Sequence, residues 1–427
     1  MRILIKNGRV LDPKSGVDET LDILVDGGRI ADLKPSIKAK DATVIDASRL
    51  VVAPGFIDMH AHLREPGQTS KETIETGTRA AARGGFTSVC AMPNTKPAND
   101  ERTVTEFILA QAAKKGAVNV YPIAALTKGL LGWEVTDMPD LLAAGAVAFS
   151  DDGRCIQDNR IMRRALETAK PLNALVIDHA EDRPLWEGGV MNEGPASRRL
   201  GLPGIPAAAE DLMVSRDIIL AEAFDTRIHI AHLSTKGAAR LVREAKSRGV
   251  RVSAEATPHH LLLDDEDLDI RQTSYKVNPP LRSSEDVRAL IAAVQDGTVD
   301  VFATDHAPHS AKDKDVPIEK APFGMVGLET AVSLLLDRLV NKNVISVMRF
   351  IEMIATTPAA LLGLKSKGRI AVGADADLTV LNLHKTVVVD SAAFASKSRN
   401  TPFHGRKLKG APVMTIVGGR VVYPFVS

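Results

Sequence analysis

Short apolar runs alternate with helical stretches through the middle of the chain, from residue 54 to residue 366. Eight of these runs have the length and composition of β-strands: 56–62, 86–92, 118–124, 146–150, 174–179, 227–232, 251–256 and 299–304. Most are followed by a helical pattern, as at 71–83, 159–170, 209–223 and 236–248. Repeated strand–helix units imply parallel strands, and eight such units match a (β/α)8 barrel. The pattern therefore predicts an α/β protein with a TIM barrel over residues 54–366.

The two ends of the chain show a different pattern from the middle. Polar and apolar residues alternate with period two, and Asp26-Gly27-Gly28 and Gly418-Gly419 mark turns. This pattern is typical of hairpins. The expected strands lie at 3–5, 21–25 and 43–45, and at 378–381, 386–389, 413–417 and 420–423. We therefore expect residues 1–53 and 367–427 to fold together into one small β-sandwich domain.

Composition narrows the class of protein. The 427 residues are 44% hydrophobic and 25% charged, as in a soluble globular protein, with a formal net charge of +1. There is no basic run to follow a phosphate backbone, so we expect no nucleic-acid partner. No stretch predicts a signal peptide or a membrane span. Cys90 and Cys155 lie far apart and form no CxxC pair, which favours a reducing compartment. These features predict a cytoplasmic protein.

Potential metal ligands stand where the predicted barrel strands end. They are His60 and His62 after the first run, Asp152 after the fourth, His179 after the fifth, His232 after the sixth and Asp305 after the eighth. In a TIM barrel, the chemistry collects at the carboxyl ends of the strands. Imidazole is the commonest protein ligand for zinc-class ions, and a catalytic ion needs convergent ligands with one position open. Together the six residues predict a metal centre.

Five motifs resemble those of the dihydroorotases, within the amidohydrolase superfamily. They are GFIDMHAHLREPG at 55–67, AMPNT at 91–95, SDDG at 150–153, IAHLS at 230–234 and ATDHAPH at 303–309. Each motif is moderately specific, and the set is very specific. The similarity covers the whole chain. It implies reversible closure of N-carbamoyl-L-aspartate to L-dihydroorotate and water, in the biosynthesis of pyrimidines.

The resemblance also implies a role for each ligand. His60 and His62 would hold one divalent ion, zinc in this family, and His179 and His232 a second. Asp152 would bridge the two ions, and Asp305 would bind the first ion and act as acid and base. Many amidohydrolases bridge their ions with a carboxylated lysine, but run 146–150 contains none. An aspartate bridge resembles the bacterial class I enzymes and leaves open whether one or two ions are bound per subunit.

The substrate carries a carboxylate that takes no part in bond breaking. Arg64 offers a planar fork suited to that group. Asn94 can donate an amide N–H beside it, and His309 is a third candidate. By resemblance, Asn278 and the backbone of Phe323 and Gly324 would bind the ring amide or ureido groups. The resemblance also places His62 against the substrate.

Other interpretations and details stay open. A related cyclic amidase, such as a dihydropyrimidinase, hydantoinase or allantoinase, shares the histidine set but usually keeps the bridging lysine. A non-catalytic scaffold subunit of aspartate carbamoyltransferase should have lost ligands, yet all six are present. The sequence leaves open a homo-oligomer, a complex with that transferase, and a lid formed by loop 307–325. On a regular strand His229 has the opposite parity to His232, so we expect it to face the helices.

Overall fold

The computed structural model describes residues 2–423 and contains a parallel eight-stranded barrel. Its strands are Phe56–Ala61, Phe86–Ala91, Asn119–Ala124, Ala148–Ser150, Val176–Asp178, Ile228–Ile230, Val252–Ala256 and Val301–Phe302, here called barrel strands one to eight. Each barrel strand pairs in parallel with the next along the chain. A parallel bridge between Ala61 and His306 joins the first strand to the chain beyond the eighth. The predicted fold class is confirmed.

Helices surround the barrel. They are Ile74–Arg83, Arg102–Lys115, Met138–Ala144, Asn159–Ala169, Arg183–Trp186, Pro195–Leu200, Ala208–Phe224, Lys236–Ser247, Pro258–Leu262, Ser284–Gln295, Ala311–Lys314, Ala331–Leu335, Val347–Ile351 and Thr357–Leu361. Thr73 is the N-cap of helix Ile74–Arg83, and its side chain accepts a hydrogen bond from the Thr76 amide. Thr235 caps Lys236–Ser247 in the same way. The four helices predicted from the sequence are present, with ends that differ by at most three residues.

Successive residues of the barrel strands face opposite sides of the sheet. Ile228 and Ile230 belong to the apolar cluster that the strands share with the surrounding helices. Ile177 and Val301 belong to a separate cluster enclosed by the strands. Because neighbours alternate along a strand, His229 and Glu255 point into the barrel, below the ends of the strands. Two polar side chains are therefore buried inside the cylinder.

Strands from both chain ends join in one mixed sheet. Its members are Ile3–Asp12, Val17–Asp26, Arg29–Lys34, Thr43–Asp46, Val51–Pro54, Leu378–Val388, Lys407–Val417 and Arg420–Tyr423. Val51–Pro54 pairs antiparallel with the start of Leu378–Val388, which links the two ends. The sheet buries its own apolar core, including Ile5, Val25 and Ile416. The two strands predicted at 378–381 and 386–389 are one strand with an irregular register.

The domain boundaries at 1–53, 54–366 and 367–427 stay a prediction. Residues 1 and 424–427 lie outside the described part of the chain. Within residues 2–423, no helix combines the length and the apolar composition that a bilayer crossing requires.

Candidate metal centre and substrate cavity

His60 and His62 stand at the end of the first barrel strand, and carboxylates face both rings. The Nε2 atom of His60 lies 3.3 Å from Asp152 Oδ1 and 3.5 Å from Asp305 Oδ1. The Nε2 atom of His62 lies 3.1 Å from Asp305 Oδ1. Asp58, on the same strand, accepts hydrogen bonds from the Thr304 amide at 3.0 Å and the Thr304 hydroxyl at 2.6 Å. That contact holds the ends of strands one and eight together, so their polar side chains meet.

Asp152 occupies the middle of the cluster. Its carboxylate lies 3.3 Å from His60 Nε2, 3.5 Å from His62 Nε2, 3.5 Å from His179 Nδ1 and 3.8 Å from His232 Nε2. The preceding residue, Asp151, points away and accepts hydrogen bonds from the amides of Leu126 and Thr127. One aspartate therefore fixes the neighbouring loop, while the other is shared by four imidazoles.

Two sets of three ligand atoms are close enough to surround a single ion. The ligand atoms of His60, His62 and Asp305 lie within 4.8 Å of one another, and so do those of His60, Asp152 and His232. His179 contacts the second set through Asp152. Both sets are buried. The structure thus brings together all six residues that the sequence marked as ligands, and their binding of metal stays a prediction.

The electrostatics of the cluster favour positive charge at its centre. Burial raises the pKa of Asp152, but the imidazoles, His60 above all, hold that pKa well below its ordinary value. Burial likewise raises the pKa of Asp305, but the contact with His62 and the charges of His60, His62 and His232 together lower it below the ordinary value. Burial lowers the pKa of His179, but Asp152 and Glu181 raise it to about 10. Ionised carboxylates here need positive charge, whether from protons or from a divalent cation.

The donor set fits a divalent ion. The Nδ1 atom of His60 donates to Glu255 Oε1 at 2.7 Å, and the Nδ1 atom of His62 donates to Asn94 Oδ1 at 2.8 Å. When these rings are neutral, the lone pair of each Nε2 atom therefore faces the carboxylates. Among the described residues, the buried Nε2 atom of His60 makes no hydrogen bond. A buried nitrogen with a free lone pair among carboxylate oxygens is what a metal ligand requires.

A cavity of about 240 Å³ opens beside this cluster. Its lining comprises His62, Arg64, Asn94, Asp152, Gly153, His179, Trp186, His232, Asn278, Asp305, Ala307, His309, Phe323 and Gly324. Every residue that the sequence marked for substrate binding is in this lining. Among the proposed ligands, only His60 is absent, because its ring is completely buried beneath the others.

Arg64 brings a buried cation to the cavity. Only 9% of Arg64 is exposed to solvent. Its Nε atom donates a hydrogen bond to Pro308 O at 3.3 Å. Within residues 2–423, no acceptor takes a hydrogen bond from its two terminal nitrogens. Burial lowers the pKa of Arg64 to about 10, although Asp305 and Asp152 act in the opposite sense. The guanidinium therefore remains charged at neutral pH and has donors to spare.

The other predicted substrate residues already have protein partners. Asn94 donates from Nδ2 to Asp152 Oδ2 at 3.2 Å and accepts from His62 through Oδ1, so its amide links His62 to Asp152. Asn278 donates to Glu181 Oε2 at 2.8 Å, and its Oδ1 atom is buried without a partner in the described chain. His309 donates to Phe323 O at 2.8 Å and accepts from Lys71 Nζ at 3.3 Å. Of these three residues, Asn278 is the one whose side-chain oxygen has no hydrogen-bond partner in the described chain.

Loop 307–325 forms one wall of the cavity. The Gly324 amide donates to Lys276 O at 2.8 Å. Gly324 has a φ of +128°, and a Cβ there would stand 2.7 Å from the Ala307 Cβ, so glycine is required. Lys314 donates to Thr273 O at 3.1 Å and to Pro322 O at 2.8 Å, which ties the loop to the rim of the barrel.

Comparisons with known proteins agree with this geometry. One family model, described as dihydro-orotase-like, matches residues 48–238, and another, of the amidohydrolase family, matches residues 220–423. A dihydroorotase from Pelotomaculum thermopropionicum is 55% identical over 422 residues, which is 99% of this chain and 98% of that protein. The chain belongs to the dihydroorotase family. A family member from Geobacter metallireducens is 50% identical, over 99% of this chain and 100% of its own length.

Solved hydantoinase structures share the fold of this dihydroorotase family member. A D-hydantoinase superposes with a TM-score of 0.87 at 26% identity, covering 100% of this chain and 96% of that one. An L-hydantoinase (dihydropyrimidinase) from Arthrobacter aurescens gives a TM-score of 0.88 at 27% identity, again over 100% and 96%. The resemblance inferred from the sequence motifs is therefore confirmed at the level of family and fold.

Sequence reasoning missed three residues of the site. Trp186 lines the cavity and stacks edge-on against Phe323, with ring centroids 6.4 Å apart. Glu181 bonds to Asn278 at 2.8 Å and lies 3.4 Å from His179 Nε2. Glu255 contacts His60. A signal existed for Glu255, because a charged residue stands between two alanines near the end of the run 251–256, RVSAEA.

The prediction that His229 faces the helices is wrong. Its ring points into the barrel, where Nε2 lies 3.1 Å from Glu255 Oε2. The parity argument failed because strand six ends at Ile230 and His232 has a φ of +29°. The alternation of a regular strand does not extend to a residue in that conformation.

Proposed function

We propose that this chain is a metal-dependent dihydroorotase, which interconverts N-carbamoyl-L-aspartate and L-dihydroorotate. The observation that carries the proposal is Arg64: among residues 2–423 its terminal guanidinium nitrogens have no acceptor, and its side chain lines the same cavity as the histidine–aspartate cluster. An isolated buried cation is costly, so a site that keeps one is suited to an anionic ligand. The exocyclic carboxylate of dihydroorotate supplies that anion.

Zinc is the ion we propose. His60, His62 and Asp305 would hold one ion, His179 and His232 would hold a second, and Asp152 would be shared. When bound, such ions lower the pKa of water and polarise a carbonyl oxygen. Asp152 supports this assignment, since all four imidazoles lie within 3.8 Å of its carboxylate. The buried, unpaired Nε2 atom of His60 supports it independently.

Asp305 is the proposed acid and base. In ring opening, its carboxylate takes a proton from the attacking water as the new C–O bond forms at the ring carbonyl. It then gives that proton to the ring nitrogen as the C–N bond breaks. Burial raises the pKa of Asp305, but its contact with His62 and the nearby imidazoles lower it, so the group is ionised and can take a proton. Ring closure runs through the same proton transfers in reverse.

The remaining lining orients the ring. The free Oδ1 atom of Asn278 can accept a hydrogen bond from a ring N–H. Phe323, Gly324, Asn94, His309 and Arg64 all belong to the same lining. We propose that Arg64, Asn94 and His309 hold the carboxylate, while Asn278 and the 323–324 backbone hold the ring amide. Cytoplasm is the compartment we propose, since Cys90 and Cys155 are both free and buried.

Hydantoinases are the rival, because their solved structures share this fold. Their substrates are neutral cyclic ureides, which give no reason for a buried, unpaired arginine. The chain is also 55% identical to a dihydroorotase but 26–27% identical to the two hydantoinases. Both observations support dihydroorotase activity.

The deciding experiment measures turnover of L-dihydroorotate and of N-carbamoyl-L-aspartate by the purified protein, with zinc analysis of the same sample. Dihydrouracil and hydantoin serve as neutral comparison substrates. We expect turnover in both directions with dihydroorotate and carbamoyl-aspartate. Turnover of dihydrouracil or hydantoin without any turnover of dihydroorotate would reject the proposal in favour of the rival.

Arg64→Ala is expected to raise KM for dihydroorotate by about 10- to 100-fold, because that is the usual effect of losing one hydrogen bond to a charged group. Steady-state kinetics should show a smaller change in kcat, because Arg64 binds a group that does not react. Arg79→Ala, at an exposed arginine on helix Ile74–Arg83, is the matched control and should leave KM unchanged. An unaltered KM in Arg64→Ala would remove Arg64 from the carboxylate site.

A further inference from the structure

Glu255, near the end of the seventh barrel strand, contacts the first strand, the sixth strand and the turn after the sixth, beneath the candidate metal centre. Its Oε1 atom accepts from His60 Nδ1 at 2.7 Å and from the His232 amide at 3.2 Å. Its Oε2 atom accepts from His229 Nε2 at 3.1 Å. The side chain is fully buried and does not line the cavity. Glu255 therefore acts on the cluster only through other residues.

The contact with His60 decides which of its nitrogens carries the proton. A carboxylate can only accept, so Nδ1 of His60 must be the protonated nitrogen. In the neutral ring that binds an ion, the lone pair then lies on Nε2, 3.3 Å from Asp152 Oδ1. The opposite tautomer would place a proton where a metal ligand needs a lone pair. Glu255 thus prepares His60 for binding an ion.

The contact with His232 acts on the backbone instead. His232 has a φ of +29°, a conformation that costs free energy for a residue with a side chain. The Glu255 carboxylate accepts from its amide, and the Glu255 carbonyl accepts from the next amide, Leu233 N, at 2.9 Å. These two hydrogen bonds hold the turn that directs the His232 ring towards Asp152.

The second carboxylate oxygen of Glu255, Oε2, is held by His229. His229 donates to it from Nε2, so its Nδ1 atom accepts from Ser253 Oγ at 2.8 Å. Ser253, His229 and Glu255 form a chain of hydrogen bonds that ends on His60. Because each member is buried, the carboxylate has little freedom to rotate away from His60.

We propose that Glu255 is a positioning residue that sets the tautomer of His60 and the direction of His232, and thereby the affinity of the centre for its ion. The proposal depends on the proposed function only in that His60 and His232 bind a divalent ion.

The test is Glu255→Gln, which keeps the shape of the side chain but turns one oxygen into a donor. If that donor faces His60, the Nδ1–H hydrogen bond is lost; if it faces His229, that ring must take its other tautomer. In both orientations the acceptor at His60 loses its negative charge, which weakens the contact. We expect the dissociation constants for Zn²⁺ and Co²⁺, measured by competition with a chromophoric chelator, to rise about 10- to 100-fold. The visible absorption bands of the Co²⁺-loaded protein should also change, because the ligand geometry changes.

Glu329→Gln is the matched control. Glu329 is another mostly buried carboxylate, and it accepts from the Ala395 and Ser396 amides, outside the cavity lining. This variant should keep the wild-type affinity and cobalt spectrum. An equal loss of affinity in both variants would overturn the proposal, because it would then reflect loss of any buried charge.

A second measurement needs no variant. The measurement uses wild-type protein that contains ¹⁵N-labelled histidine and bound zinc. Long-range ¹H–¹⁵N spectra should show that His60 carries its proton on Nδ1. A proton on Nε2 would overturn the proposal. Wild-type affinity and an unchanged cobalt spectrum in Glu255→Gln would also overturn it, while leaving the proposed function intact. Failure of the wild-type protein to bind either ion would instead contradict the proposed function.

Discussion

Asp305→Asn is expected to lower kcat for dihydroorotate at least about 10²-fold, the usual contribution of a general acid–base group. The amide has nearly the same shape, but it cannot take a proton from water or return one to the ring nitrogen. Its Oδ1 atom in the wild type lies 3.1 Å from His62 Nε2, and the pKa of the carboxyl is held low by that contact against the effect of burial. Kinetics should be measured in both directions, because one group serves both.

Asp305 is also a proposed ligand, so the zinc content of the variant must be measured with its rate. A lower rate at full zinc content assigns the loss to proton transfer. Asp315→Asn is the matched control, because Asp315 is exposed on the same 307–325 loop and outside the cavity lining. We expect its kinetics to equal those of the wild type. Turnover near the wild-type rate in Asp305→Asn would exclude the acid–base role.

The barrel was predictable because its signal is local and repeated. Each of the eight strands lies within an apolar run, and strand ends alone place His60, Asp152 and His179 at one rim. The two strands expected at 378–381 and 386–389 form a single strand, since pairing with Lys407–Val417 continues on both sides of an irregular stretch. Periodicity within a strand does not reveal such long-range pairing.

The details of the site were not predictable from periodicity. Arg64, His232 and Asp305 have φ values of +58°, +29° and +46°, so they lie outside any regular element. Counting residues along a strand cannot give their directions, and it misplaced His229. The pairing of His60 with Glu255 joins residues 195 positions apart. Motif resemblance supplied the ligand set because it compares residues directly, without deriving their orientation.

Removal of the ion is expected to abolish activity and to lower Tm. An ion that supplies about 4 kcal/mol of transition-state stabilisation contributes about 10³-fold to the rate. An ion that binds only the folded chain adds about 4 kcal/mol to the free energy of unfolding when its free concentration is about 1,000 times its Kd. Dialysis against a chelator, followed by rate and melting measurements, tests both effects. Zn²⁺, Co²⁺ and Mn²⁺ added back separately will show which ion restores activity.

Binding of the ion to the chelated protein should weaken as the pH falls. Burial lowers the pKa of His60, but Asp152 and Glu255 raise it well above the ordinary value, and the pKa of His179 is about 10. Without an ion, both rings therefore carry a second proton at neutral pH, and an incoming ion must displace it. Raising the pH removes these competitors, so apparent affinity should be higher at about pH 8.5 than at about pH 6.5. Equal Zn²⁺ affinity at the two pH values, in competition with a chelator, would contradict ligation by these imidazoles.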